Sequence, residues 1–421
     1  MPITDENRAR TKAVIDRCRT LAGFSEVPGA TSRTFLSPPM HDCHQEIAEW
    51  LEPLGVDVKI DAAGNLRAFY PGAEAGAPRL LLGSHLDTVP DAGAFDGALG
   101  VVLGVALLES LEGRRLPFGI EIVGFSEEEG VRFGTPFIGS RALVGRVDEE
   151  LLRRQDARGI SVRAAIEDFG LKPAELSGAR LKGEIVGYLE FHIEQGPVLD
   201  ELGLPLGAVE AVAGQSKMEF TFFGRANHAG TTPMHLRRDS LAGAAEWIGQ
   251  VEREANRVPG LVATVGTVEP KPGVTNVIAR ETRLTLDVRH RTDEVRVRAV
   301  DRLIRAAEET AARRGLTLTE RTLLSQPSVP MDPVLVEQIE EAMGQSGCKP
   351  YRMVSGAGHD AMILAEKVPA AMVFLRTPGG ISHSSEETVE MDDVAKALET
   401  GSHLLELLAG LPARHRRVKR A

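Results

Sequence analysis

Five side chains of the types that bind divalent metal ions follow apolar segments of this sequence. The apolar segments span residues 80–83, 120–125, 188–191 and 371–375. The side chains at or just beyond their ends are His85, Asp96, Glu129, His192 and His383. Imidazole nitrogen with carboxylate oxygen, without thiolate, suits Zn²⁺, Mn²⁺ or Co²⁺. Five ligands are too many for one tetrahedral catalytic ion with an open position, so the pattern predicts two divalent metal ions that share a bridging carboxylate.

Acidic neighbours of these residues could supply the remaining chemistry. His85 and Asp87 are two apart, so on an extended segment they point the same way. Asp87 could then accept the second ring N–H of His85 and fix its tautomer. Glu128 and Glu129 are adjacent in GFSEEEG and therefore point differently. One could bind metal while the other acts as general base toward the attacking water.

Simpler interpretations apply to each residue taken alone. A single buried histidine is usually structural, and an acidic triplet such as residues 127–129 is usually a solvated face. The combined pattern favours a metal site, because every member follows a strand-like segment and has glycines nearby in the sequence.

The elements that must position these residues are predicted to form an α/β fold. Short apolar segments separated by helical patterns such as residues 99–111 are typical of buried strands in a mostly parallel sheet. Ligands bind such sheets where the strand ends and their loops converge.

The middle of the chain has a different pattern. Strands at 218–223, 262–268, 281–289 and 317–324, with helices at 240–256 and 294–314, give the order βαββαβ of a ferredoxin-like domain. This domain, residues 215–326, is predicted to be inserted into a catalytic domain formed by residues 1–214 and 327–421.

Composition narrows the class of protein. At 421 residues, two domains are expected, and 43% hydrophobic with 26% charged residues is ordinary for a globular protein. A net charge of -11 argues against a nucleic-acid partner, and residues 414–420 are interpreted as a solvated basic tail. The sequence shows neither a signal peptide nor a membrane span, and its three cysteines suggest no disulfide framework, so a cytoplasmic protein without a membrane partner is expected.

The motifs resemble those of the N-carbamoyl-L-amino-acid hydrolase and allantoate amidohydrolase family, within the binuclear zinc aminoacylase and carboxypeptidase superfamily. The resemblance extends over nearly the whole chain, and the combination of HIEQGP with ANHAGTTPM is the most specific part. The motifs are DxxGNL, GSHLDTVPDAGAFDGALGV, EEEGVRFGTPFIGSRAL, FHIEQGPVLD, GRANHAGTTPMHLRRD, VTNVIARETRLTLDVRH, SGAGHDA and GGISHSSEE.

The resemblance implies roles for individual residues. Asp96 would bridge the two ions, with His85 and His383 on one side and Glu129 and His192 on the other. It implies that Glu128 is the general base and that Asp87 orients His85. The inserted domain would act as a lid and dimerise. There His228 would stabilise the oxyanion, commonly in the partner subunit, and Asn276 and Arg289 would hold the substrate, Arg289 by a bidentate contact with its carboxylate. Gln195, Gln215 and His359 are further substrate-binding candidates.

The implied activity is hydrolysis of the carbamoyl or ureido C–N bond of a small carboxylate substrate by a homodimer. An N-carbamoyl-L-amino acid is the first candidate, followed by allantoate, N-carbamoyl-β-alanine and ureidoglycolate. Val131, Lys217, Arg376 and Thr377 depart from the family pattern, so substrate choice stays open. The alternatives are a dipeptidase or aminoacylase on the same scaffold and a non-catalytic dimeric binding protein. The presence of Glu128 and all five ligands disfavours the binding protein.

Overall fold

A computed structural model describes residues 5–411, without the side chains of residues 5 and 6. The basic tail at 414–420 lies outside these residues. Within the described chain, contacts define two units. The larger includes the described residues up to Glu210, Met331–Met353 and those from Gly358 onward. The smaller comprises Ala211–Pro330 and Val354–Ala357.

Helices and strands alternate along much of the described chain. The helices are α1 (Asp5–Gly23), α2 (Pro38–Leu51), α3 (Ala98–Glu109), α4 (Ile138–Val144), α5 (Glu149–Arg153), α6 (Val162–Asp168), α7 (Val198–Leu202), α8 (Ser240–Arg257), α9 (Asp293–Arg314), α10 (Pro333–Gln345), α11 (Asp360–Leu364) and α12 (Met391–Gly410). The strands are β1 (Asp57–Ile60), β2 (Leu66–Tyr70), β3 (Arg79–His85), β4 (Gly119–Phe125), β5 (Ile185–Ile193), β6 (Leu206–Val212), β7 (Gly214–Phe223), β8 (Val262–Lys271), β9 (Glu281–His290), β10 (Thr317–Gln326), β11 (Val329–Pro330), β12 (Arg352–Ser355) and β13 (Ala370–Leu375).

The large sheet has four parallel strands at its centre. Its order is β1-β2-β4-β3-β5-β13-β6-β11, and β12 also pairs with β6. Strand β3 runs parallel to β4 and β5, and β13 runs parallel to β5. Strands β1, β2 and β6 pair antiparallel with their neighbours. The predicted α/β class with a mostly parallel sheet is confirmed.

Burial on both faces explains the apolar composition of the central strands. Every residue of β4 and of β13 is buried. Helix α3 is also apolar on all sides, and its residues from Ala98 to Leu108 are buried. It packs against β3 and β5, while α1 and α12 pack against α3. A helix without a polar face is typical of the interior of a large domain.

The smaller unit is an antiparallel sheet of order β10-β7-β9-β8 with helices α8 and α9. Residues of β9 alternate between partly and fully buried, which leaves one face of the sheet for the core. That core contains Phe220, Phe222 and Leu284, and it includes Trp247 of α8, whose ring N–H donates to the carbonyl of Leu303 at 2.9 Å. The order of strands and helices is the predicted βαββαβ.

The structure also bears on the sequence expectations about the cysteines and about membrane-spanning helices. The cysteines Cys18, Cys43 and Cys348 are free and buried. None of the helices in the described chain has both the length and the apolar character needed to cross a membrane.

Candidate metal centre

The parallel strands bring the candidate ligands to one edge of the sheet. His85 is the last residue of β3, and His192 is the penultimate residue of β5. Glu129 follows β4 and His383 follows β13. Because these four strands are parallel neighbours, their carboxyl ends lie side by side.

Asp96 lies at the middle of the cluster. One of its carboxylate oxygens is 3.6 Å from Nε2 of His85 and 3.2 Å from Nε2 of His192. The other is 3.3 Å from Nε2 of His383, which is itself 3.7 Å from a Glu129 oxygen. All five predicted ligands are therefore brought together around a single carboxylate.

The five residues form two groups that share Asp96. His85 and His192 belong to one group with Asp96, and Glu129 and His383 belong to the other. Within each group the potential ligand atoms lie within 4.8 Å of one another. This grouping differs from the pairing that the resemblance implied, in which His85 stood with His383. The reason is the strand order, since β5 with His192 lies between β3 and β13 and therefore between His85 and the strand that precedes His383.

The hydrogen bonds of two histidines show that the cluster fits a cation. Nδ1 of His85 is 2.9 Å from the carbonyl oxygen of Asp87, and Nδ1 of His192 is 2.8 Å from that of Ile193. A carbonyl only accepts, so both Nδ1 atoms carry hydrogen, and in the neutral rings both Nε2 atoms offer lone pairs. These Nε2 atoms are 3.4 Å apart and face the Asp96 carboxylate. This arrangement needs positive charge beside the buried carboxylate, which a bound metal ion supplies to neutral rings and which protonation of the rings supplies without one.

The pKa values of the ligands indicate the same demand for positive charge. Burial tends to lower the pKa of His85, but interactions with Asp87 and Asp96 outweigh it and hold that pKa well above its usual value. Burial tends to raise the pKa of Asp96, but hydrogen bonds from His192, His383 and His85 hold it well below its usual range. Burial raises the pKa of Glu129 to about 7.

The ligands and their neighbours include seven carboxylates, and most of them are buried. In the part of the chain that the structure describes, no lysine or arginine forms an ion pair with any carboxylate of this set. The set comprises Asp87, Asp96, Glu127, Glu128, Glu129, Glu190 and Asp360. So many carboxyl groups in one buried site, with no lysine or arginine partner among the described residues, favour bound cations that would stabilise their ionised forms. The residues present thus fit one or more divalent ions.

Asp87 organises the loop that follows β4. Its two carboxylate oxygens accept the backbone N–H groups of Glu128 at 2.9 Å and Glu129 at 3.1 Å. The nearer acceptor of the His85 ring N–H is the main-chain oxygen of Asp87, whereas the side-chain oxygen is 3.5 Å away. Asp87 therefore contacts His85 as predicted, but its carboxylate is mainly occupied with the acidic loop.

The acidic loop is not a solvated face. Glu127 is fully buried and Glu128 is only 8% exposed. The side chains of Glu128 and Glu129 both come within 4.8 Å of His85, but only Glu129 also joins the group of His383. Burial raises the pKa of Glu128 well above its usual value, and the Glu129 carboxylate adds to this while His85 opposes it.

Gln195 and His359 also lie in the cluster. The Gln195 amide donates to both Asp96 oxygens, at 3.1 and 3.0 Å, and lies 3.3 Å from Nε2 of His383. His359 is buried, and its ring lies 4.5 Å from that of His192. Gln195 therefore borders the ligands directly, while His359 packs behind one of them.

Glu190 is a buried residue of the site that the sequence analysis missed. Its carboxylate accepts the Ser84 hydroxyl at 2.9 Å and the Ala361 N–H at 3.1 Å. It also lies within 4.8 Å of His192 and His359. Its position in the sequence, two residues before His192, could have indicated that Glu190 belongs to the site, because alternate residues of a strand point to the same face.

The other predicted substrate residues lie in the smaller unit. Arg289 donates from Nε and Nη2 to the two oxygens of Asp287 at 3.0 and 2.9 Å, and from Nη1 to the carbonyl of Gly356 at 2.6 Å. Gln215 donates to the same Asp287 carboxylate at 2.6 Å. Three of the five guanidinium N–H groups are therefore in use, which leaves one on each Nη nitrogen for a ligand.

His228 and Asn276 lie on paired segments of the same unit. His228 forms an isolated β-bridge with Val277, and the N–H of Ala229 donates to the carbonyl of Asn276 at 2.9 Å. Both side chains are exposed. Each could therefore contact a ligand or another protein surface.

Comparisons with known proteins agree over most of the chain. The model of peptidase family M20/M25/M40 matches residues 81–407. The N-carbamoyl-L-amino acid amidohydrolase of Geobacillus stearothermophilus is 40% identical over 366 residues, 86% of this chain and 90% of that protein. A probable allantoate deiminase of Oryza sativa subsp. japonica is 36% identical over 90% of this chain and 84% of its own. The crystal structure of an amidase of the hydantoinase/carbamoylase family from Burkholderia multivorans has a TM-score of 0.90 at 31% identity, covering 96% of this chain and 98% of that one.

Proposed function

Because this chain belongs to peptidase family M20/M25/M40, we propose that it is a metal-dependent amidohydrolase that cleaves the carbamoyl or ureido C–N bond of a small carboxylate substrate. The observation that carries this proposal is the largely buried cluster around Asp96, where three imidazoles and several carboxylates meet without a lysine or arginine partner among the described residues. An N-carbamoyl-L-amino acid is the first candidate substrate, since a relative of that name is 40% identical to this chain. Allantoate or another ureido acid is the next.

The proposed cofactor is two divalent ions, Zn²⁺, Mn²⁺ or Co²⁺. His85 and His192 would hold one ion, Glu129 and His383 would hold the other, and Asp96 would bridge them. When bound, such ions supply Lewis-acid chemistry that polarises the substrate carbonyl and favours attack by water.

Glu128 is proposed as the general base and then the general acid. Burial raises its pKa well above the usual value, and its neighbours Glu129 and Asp87 are placed by their own contacts. A carboxylate of raised pKa is able to take a proton from the attacking water and return it to the leaving nitrogen. Bound cations would offset part of this rise and bring the pKa toward neutrality.

Arg289 is proposed to bind the substrate carboxylate through the two N–H groups that Asp287 and Gly356 leave open. Asp287 fixes the orientation of the guanidinium, and it also fixes the amide of Gln215. A positioned guanidinium loses little freedom on binding, so it favours a carboxylate ligand. Asn276 and His228 would contact the remainder of the substrate, with His228 stabilising the oxyanion.

The homodimer and the lid role of residues 215–326 are part of the same proposal. Residues 1–214 and 327–421 would then form the catalytic domain. Strand β8 is at the edge of its sheet, and its Val262 and Val268 are 58% and 40% exposed. An exposed apolar edge strand favours pairing with a second copy. The cytoplasmic location expected from the sequence stays a prediction.

Ammonia release tests the proposed activity. Purified protein loaded with Mn²⁺, Zn²⁺ or Co²⁺ would be given N-carbamoyl-L-amino acids, N-carbamoyl-β-alanine, allantoate and ureidoglycolate. N-acetyl amino acids and dipeptides would be assayed in parallel by release of free amino acid. We expect turnover of at least one carbamoyl or ureido acid and its loss in Glu128→Gln. Turnover confined to acetylated amino acids or dipeptides would refute the proposed bond specificity.

A further inference from the structure

We propose that Glu387 is a positioning residue that joins the segment of Asp96 to the loop of His383 and thereby sets the affinity of this centre for its cations. This inference rests on the proposed metal-dependent function. Glu387 is not among the predicted ligands, and it contacts no proposed substrate residue. It is 5% exposed.

The carboxylate of Glu387 holds two segments that are far apart in sequence. One oxygen accepts the backbone N–H groups of Phe95 and Asp96, both at 3.0 Å. The other oxygen accepts the hydroxyl of Ser382 at 3.2 Å. Ser382 immediately precedes His383, so a single carboxylate joins the backbone at Asp96 to the side chain of the residue next to His383.

The backbone around Glu387 is shaped for this contact. Its own N–H donates to the carbonyl of Ser384 at 3.0 Å, which closes a turn directly after His383. On the opposite side, a Cβ added to Gly93 would lie 2.4 Å from Cβ of Glu387 and 2.5 Å from its carboxylate oxygen. Any other residue at position 93 would displace the carboxylate, so glycine is what allows this close approach.

Glu387 acts by fixing the geometry of the proposed metal ligands Asp96 and His383. Two backbone N–H groups that donate to one buried oxygen fix the position of that oxygen, and an amide oxygen can accept them in the same way as a carboxylate oxygen. His383 has a φ of 54°, a left-handed conformation that is uncommon for residues other than glycine and that persists where the surroundings hold it. Without Glu387, the His383 loop would lose this link to the Asp96 segment, and the 3.3 Å approach of the two side chains would no longer be fixed.

The test compares three substitutions at position 387. Glu387→Gln keeps an oxygen that can accept both N–H groups and an amide that can donate to Ser382. Glu387→Asp keeps the charge but is one methylene shorter, so it cannot reach both segments. Glu387→Ala removes every contact. The matched control is Glu386→Ala, because Glu386 is the exposed neighbour in the same loop.

Zn²⁺ and Mn²⁺ affinities of the full-length protein would be measured by competition with a chelator, together with the unfolding midpoints of the metal-free forms. We expect Glu387→Asp and Glu387→Ala to bind about 10–100-fold more weakly, as is usual when a residue that orients a ligand is lost. Glu387→Gln and Glu386→Ala are expected to stay close to wild type. At saturating metal, the Asp and Ala variants should recover most of their kcat.

Several results would overturn the proposal. Wild-type metal affinity in Glu387→Asp would show that the link between the two segments is unimportant. This result would refute the proposal even if the alanine variant does not fold. Equal weakening in Glu387→Gln and Glu387→Ala would show that charge matters rather than positioning. A wild-type protein that binds no divalent ion would instead refute the proposed function, which is a distinguishable outcome.

Discussion

Replacing Glu128 with glutamine should separate catalysis from metal binding. The side chain is 8% exposed, and glutamine has the same size and shape, so packing is preserved. The backbone N–H of residue 128 continues to donate to Asp87, which keeps the acidic loop in place. His85, Glu129 and the other proposed ligands are untouched. Metal content should therefore equal that of wild type.

The expected loss is confined to proton transfer. Positioned general acids and bases contribute roughly 10²–10⁴ in rate, equivalent to about 3–5 kcal/mol of activation free energy. We expect kcat to fall by that factor with little change in KM. Steady-state ammonia release and elemental analysis of the same preparations would measure both quantities. Normal turnover in the variant, or loss of its metal, would refute the assignment of Glu128 as the base.

The same variant makes a prediction for the metal-free protein. Burial raises the folded-state pKa of Glu128 well above its ordinary value of 4.5. The folded state therefore binds this proton more tightly than the unfolded state, so the associated stability is present below pH 4.5 and is lost as pH rises toward the folded-state pKa. Glutamine does not titrate. Metal-free Glu128→Gln should gain stability relative to wild type above pH 4.5, and equal pH profiles in urea denaturation would contradict this.

Further predictions concern other parts of the molecule. Arg289→Lys loses the planar fork that Asp287 orients, so KM for a carboxylate substrate should rise about 10–100-fold, with much less effect on the matching carboxamide; an unchanged KM would place the carboxylate site elsewhere. Burial lowers the pKa of His44 from 6.5 to about 3. As the pH falls below 6.5, the unfolded state takes up this proton while the folded state does not, so the free energy of unfolding should fall by about 2 kcal/mol between pH 7 and 5. His44→Leu should remove this loss in urea denaturation and the exposed control His41→Gln should not; a wild-type profile in His44→Leu would contradict the assignment. Val268→Lys places a charge on the exposed edge of β8 and should shift the proposed dimer to monomer in light scattering, and a retained dimer would exclude this edge.

The central strands could be predicted because their environment leaves a local signal. Residues 120–125 and 371–375 are continuous apolar segments, and they correspond to β4 (Gly119–Phe125) and β13 (Ala370–Leu375). Strands buried on both faces need apolar residues throughout, whatever their neighbours are. Strand β9 could be predicted equally well, because apolar and polar residues alternate along a strand that is buried on one face only. The five proposed ligands could be located for the same reason, since they adjoin these segments.

The order of strands has no comparable local signal. His85 meets His192 because β3 lies beside β5, whereas β13, the strand that precedes His383, lies on the other side of β5. Nothing in the sequence near either histidine reveals that neighbour relation, so the grouping of ligands could not be inferred. Glu387 was missed for a related reason. It stands among exposed polar residues, and its partner Asp96 is 291 residues away.

Strand β13 has a consequence for biosynthesis. It pairs with β5 on one side and β6 on the other, although both of those strands precede it by more than a hundred residues. During translation, the edges of β5 and β6 that pair with β13 therefore stay unpaired until β13 leaves the ribosome. Strands β7 to β10 are all synthesised before β13 and can pair with one another earlier. Nascent chains that stop before β13 would present two apolar strand edges, which are templates for aggregation. We expect premature termination products of this protein to depend on chaperones or to be degraded.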